Sequence, residues 1–146
     1  MKQFRILLVV LHVFVGIGAL AGGGACIANP DSPFGAPLSM LEGSPFSSYL
    51  VPGIVLFGFL GIGNCIGALM VLRNNWLKAV VTGILGAGLM IWILVQVFVI
   101  HAVAFLHVLF FCIGVFQSIS AIIILVKEKT LVFEHLKMLS GRIRKS

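Results

Sequence analysis

Residues 79–126 read AVVTGILGAGLMIWILVQVFVIHAVAFLHVLFFCIGVFQSISAIIILV, 48 positions between Lys78 and Lys127 without one charged side chain. As a single helix rising 1.5 Å per residue this stretch would be ~72 Å long, over twice the ~30 Å hydrocarbon core of a bilayer. The chain must therefore turn back inside it. Twenty-odd residues forward from Lys78 and the same back from Lys127 leave a turn near His101-Ala102-Val103-Ala104, although no Gly or Pro marks it. Two helices are predicted here, at about 78–100 and 105–126.

Upstream lie two more apolar runs. The first, at about 4–28, opens on Lys2 and Arg5. It has some marks of a signal peptide, a basic start and small residues before Cys26. It is longer than the ~7–15-residue apolar core of one, and is read as a retained transmembrane helix. The second spans about 49–72. The result is an all-α fold, an integral membrane four-helix bundle forming one domain, with an external loop at 29–48 and a basic tail at 127–146.

Charge placement tests this count. The ten basic residues fall before the first helix, between the second and third, or after the fourth. Four spans put them all on one side, and the positive-inside rule makes that side the cytoplasm. Both termini are expected inside. The tail repeats Val132, Leu136, Leu139 and Ile143 at helical spacing. It reads either as a helix on the inner leaflet or as the solvated end of the fourth span.

Composition agrees. The chain is 60% apolar and 10% charged, whereas soluble domains carry about 25% charged residues. The net charge of +6 points to anionic lipid headgroups as partner rather than nucleic acid, because the basic residues sit at the ends of apolar runs. Three Cys make no CxxC pair and no disulfide framework, and read as small packing residues.

Lipid tails are as apolar as Leu, so close backbone packing and interhelical hydrogen bonds must hold the spans together. Each span carries small residues at three- or four-residue spacing: Gly18 and Gly22, Gly63 and Gly67, Gly83 and Ala87, then Gly114, Ser118 and Ala121. They fit a tight bundle, or self-association through a leftover stripe. Polar residues inside the spans are few. His12, Asn64 and Gln117 each lie eight to ten residues from the basic end of their helix, and are expected at one depth, bonded across helices or lining a path. No Asp, Glu, Lys or Arg accompanies them, which disfavours a proton-coupled pump. His101 and His107 flank the turn. On one helix their spacing would put them on different faces, and although a turn could bring them together they read as histidines of the membrane interface rather than metal ligands. No cofactor, metal or catalytic set is expected, and no enzymatic activity.

The loop 29–48 contains two Ser-Pro-Phe tripeptides, at Ser32 and Ser44. Ser44 and Pro45 read as the N-cap and first residue of the second helix, and Pro52-Gly53 as loosening its first turns. Leu38, Met40 and Leu41 are expected to face the membrane, making the loop a lid with phenylalanine anchors or a docking surface for a partner.

Leu41-Glu42-Gly43-Ser44-Pro45-Phe46, then Leu50-Val51-Pro52-Gly53, then Ile91-Trp92-Ile93-Leu94-Val95-Gln96 resemble a group of small four-span bacterial membrane proteins. These carry Ser-Pro-Phe before the second helix, Pro-Gly in it and Ile-Trp-Ile-x-x-Gln in the third. Their loop opens on Asp-Pro, where this chain has Asn29-Pro30-Asp31. The resemblance implies a bacterial inner membrane and this topology, and no reaction. It marks Ser44, Pro45, Phe46, Pro52, Gly53, Trp92 and Gln96, beside Asn64 and Gln117, as candidate interaction or path residues. The expected function is a non-enzymatic accessory or scaffold component of the membrane, possible partners being another membrane protein or a second copy. The alternative is a small oligomeric transporter or channel for a neutral solute.

Overall fold

Four helices long and apolar enough to cross a membrane account for most of the chain in a computed structural model. The structure describes the backbone of residues 2–143 and the side chains of residues 2–129. Helix α1 is Lys2–Ala28, α2 is Leu50–Leu72, α3 is Lys78–Ile100 and α4 is Phe105–Ile143. The backbone of α4 stays helical well into the basic tail, while the apolar face expected at Val132, Leu136, Leu139 and Ile143 lies outside the residues whose side chains are described.

The helices form two antiparallel hairpins, α1 with α2 and α3 with α4, packed side by side. Contacts fix the register of the first. Arg5 Nη2 donates to the Leu72 carbonyl at 3.1 Å, Gly16 lies against Gly61 and Cys65, and Gly23 against Gly53. In the second, Gly86 faces Gly114 and Gly83 faces Ala121, and Lys78 is ion-paired with Glu128. The starts of α1 and α3, the end of α2 and Glu128 of α4 therefore share one end of the bundle, here the terminal end. The loop between α1 and α2 sits at the other, the lid end.

Glycine does the packing the membrane requires, at positions only partly those of the GxxxG pairs. A Cβ on Gly23 would come within 2.5–2.8 Å of backbone atoms of Phe57 and Gly53, and one on Gly86 within 2.8 Å of the Gly114 carbonyl. Gly18 and Gly22, the pair noted in α1, meet only the side chains of Phe110 and Leu56. The first hairpin meets α4 differently, through aromatic pairs: Phe14 stacks on Phe110 with centroids 5.6 Å apart, and Phe4 meets Phe116 at 6.2 Å. Of the cysteines, Cys65 and Cys112 are exposed at the bundle surface and Cys26 is half-buried, and Cys65 and Cys26 lie against Gly16 and Gly53.

The turns explain themselves locally. Asn74 adopts φ 51° after α2. The Asn75 N–H then reaches the Met70 carbonyl and the Asn74 N–H that of Val71, a Schellman ending. Between α3 and α4 the turn occupies 101–104. His101 takes the left-handed conformation (φ 55°) that glycine usually supplies. His107, three residues into the next helix cap, accepts the Ala104 N–H on Nδ1 at 3.0 Å, the reciprocal half of a capping box.

Helix α2 does not begin at Ser44-Pro45. Leu41 to Ser44 form a type II turn instead, with Glu42 at φ −58°, ψ 131° and Gly43 at φ 81°. The Ser44 N–H bonds the Leu41 carbonyl at 3.0 Å, and its Oγ donates to the same carbonyl at 2.7 Å. Glycine at the left-handed position makes the chain turn before a helix can start. Pro52 costs α2 nothing, since the first turn of a helix has no partners for its N–H groups. The irregularity in α2 comes later, as a widened π-helical segment at Leu56–Ile62.

Candidate functional site: a buried polar layer

About two helical turns in from the terminal end, His12, Asn64, Thr82 and Gln117 converge, one from each helix. All four are completely buried. Asn64 is the hub. His12 Nδ1 lies 2.7 Å from Asn64 Oδ1, Gln117 Nε2 donates to the same oxygen at 3.1 Å, and Asn64 Nδ2 donates to the Leu60 carbonyl at 2.8 Å. That last bond ties the layer to the π-helical segment, of which Leu60 is part.

The network assigns the histidine tautomer. Asn64 Nδ2 is committed to a carbonyl, so its oxygen must face His12, and Nδ1 must carry the hydrogen. His12 Nε2 is then an acceptor and takes the hydroxyl hydrogen of Thr82 Oγ1 at 3.1 Å. The Gln117 Nε2 to His12 Nδ1 approach, also 3.1 Å, joins two donors and contributes no bond. Gln117 Oε1 remains buried without a partner. Room for the ring is made by Gly67, where a Cβ would stand 3.0 Å from His12 Cε1 and Nδ1.

Towards the lid end the layer gives way to an apolar core of Val15, Ala19, Leu60, Leu89, Ile93 and Ile113. Trp92 packs on that core with its indole Nε1 buried and unpartnered. Gln96 lies one turn further on, half-buried. The candidates read from sequence therefore divide. Asn64 and Gln117 meet each other with His12, whereas Trp92 and Gln96 sit in the opposite half of α3. Gly53 is buried against Cys26 and the Gly23 carbonyl, as a packing residue between α1 and α2.

Ser44, Pro45 and Phe46 belong to the lid. Two 3₁₀ turns, Pro33–Gly35 and Leu38–Leu41, shape it. Leu41 is buried at its underside, but Leu38 and Met40 are about two-fifths exposed. Phe34 is 83% exposed, so it does not anchor the lid on the bundle. Tyr49, not singled out by sequence, performs the tethering. Its N–H bonds the Pro30 carbonyl at 2.9 Å and its hydroxyl the Pro37 carbonyl at 3.0 Å. Burial, and the neighbouring Cys26, hold the phenol above its usual pKa.

Among the described residues, no group of three His, Cys, Asp or Glu side chains could hold a metal ion. The layer is made of neutral donors and acceptors, able to fix helices or to bind a neutral polar group. Comparison with known proteins gives no match: no family model, curated protein or solved structure is significantly similar to the chain.

Proposed function

We propose that this is a non-enzymatic accessory or scaffold protein of a bacterial inner membrane, with both termini in the cytoplasm. The orientation rests on the basic residues, which a four-span chain gathers on one side. The bacterial setting rests on the resemblance carried by the Ser-Pro-Phe, Pro-Gly and Ile-Trp-Ile-x-x-Gln segments.

One observation carries the role: the polar side chains of the layer are wholly buried and spend their bonds on one another. Intramembrane polar groups that handle a solute line a water-filled cavity or pathway, and these are closed off in the interior, bonded to one another and to the Leu60 carbonyl. What the bundle offers outward is the lid, with Phe34 projecting from it, a surface for another membrane protein. Native mass spectrometry of the chain extracted with its surrounding lipid tests this. A second protein at fixed stoichiometry supports the role, and a chain found only with itself and lipid contradicts it.

A transporter for a neutral solute is the second reading, favoured by the unpartnered Gln117 Oε1 and the half-buried Gln96. Gln96→Leu separates the two. The accessory role predicts unchanged insertion and an effect confined to partner capture or stability. A path through Gln96 predicts loss of solute flux in liposomes.

A further inference from the structure

Between α1, the end of α2 and α4, a cleft of about 830 Å³ opens at the terminal end of the bundle. Its size falls within the roughly 300–1,000 Å³ of small-molecule sites. The layout of the helices produces it. Helices α1 and α4 touch mainly through the pairs Phe4–Phe116 and Phe14–Phe110, and rings hold helices further apart than glycine does. At the level of Phe4, which lines it, the space between the helices is left open.

The walls differ with depth. Phe4, Ile123 and Ile124 form an apolar floor, with the fully buried Leu8 and Val71 closing it from beneath. The rim carries Lys2, Arg5, Lys78, Lys127 and one acid, Glu128. Glu128 is paired with Lys78, which leaves an excess of positive charge over an apolar interior. Arg5 is held in place by its bond to the Leu72 carbonyl, which uses one of the five guanidinium donors and orients the rest.

We infer that this cleft binds one anionic phospholipid from the leaflet at the terminal end, its phosphate at Arg5 and Lys2 and the start of its acyl chains against Phe4, Ile123 and Ile124. Charge and polarity argue together. A fixed guanidinium with neighbouring ammonium groups suits phosphate oxygens, and the apolar floor suits hydrocarbon but not a free anion. The depth fits as well, because the rim residues stand at the ends of spans, where headgroups lie. The inference requires only that the helices cross a bilayer, and stands whether or not the protein serves a partner.

The test is lipid retention by the full chain in native mass spectrometry, from an equimolar mixture of phosphatidylglycerol and phosphatidylcholine. The expected result is one tightly held phosphatidylglycerol, with a preference over phosphatidylcholine that falls about fivefold for each rim charge removed, in Lys2→Gln and in Lys2→Gln/Arg5→Gln. Equal retention of the two lipids by the unaltered chain would overturn the inference, and that measurement needs no variant to fold. So would a preference unchanged in Lys2→Gln, whose exposed side chain lies outside the packing. Inorganic phosphate displacing the lipid would assign the rim to a free anion and also overturn it.

Discussion

In the terminal half of the bundle four helices each send a polar side chain to one buried point, and in the lid half they meet without any such network. His12, Asn64, Thr82 and Gln117 make the first region directional. The second relies on contact, with Gly23 against Gly53 and Phe57, and Leu60, Leu89 and Ile113 filling the interior. Hydrocarbon offers no hydrophobic drive for association, so the spans rely on the two remaining means, close contact in both halves and hydrogen bonds in the terminal half alone. Glycine contact brings two helices close, while hydrogen bonds also fix which atoms face each other. A layer joining all four helices thus sets the arrangement of the two hairpins, and the glycines set the spacing within each.

Breaking the hub should have the largest effect. Asn64→Leu removes the acceptor of both His12 Nδ1–H and Gln117 Nε2, leaving two buried donors unpaired, and is expected to cost about 3 kcal/mol. Reversible unfolding in mixed micelles reads this directly. Gly23→Ala attacks the other half. Its methyl meets backbone, which cannot swing aside as a side chain can, and a loss of about 2 kcal/mol is expected in the same assay. Gly58→Ala is the control, since nothing lies within 4 Å of its Cβ position. Relief of backbone entropy should make it neutral or stabilising by about 0.5 kcal/mol. Equal losses at Gly23 and Gly58 would remove the distinction between contact glycines and idle ones. The smallest effect is expected for Tyr49→Phe, which deletes only the bond to the exposed Pro37 carbonyl. Stability should fall by about 0.5 kcal/mol, with faster hydrogen exchange confined to the lid.

The spans were legible because their signal is length and charge, which local detail cannot disguise. The charge-free 48 residues force a reversal, and α3 ends at Ile100 with α4 starting at Phe105. The common depth of His12, Asn64 and Gln117 was also readable, by counting turns from the basic ends. Thr82 was not, because a β-branched hydroxyl residue in a span can satisfy itself on its own helix and gives no outward sign. Gly23 was hidden for a related reason. Gly22, Gly23 and Gly24 are consecutive, and only the packed partner tells which of them faces α2. At Ser44 the rule for helix starts competed with Gly43, whose positive φ closed a type II turn first. At His101 the left-handed residue was not the Gly or Asn that usually marks a helix end.

A polar layer that couples the helices, rather than merely occupying the interior, makes its members depend on one another. A double-mutant cycle of His12→Leu and Asn64→Leu, followed by reversible unfolding, measures that dependence. The 2.7 Å bond joining α1 to α2 predicts a coupling energy of about 1 kcal/mol or more, within the ~1.7 kcal/mol ceiling for such bonds in membranes. Strictly additive losses, with no coupling between the two positions, would contradict it.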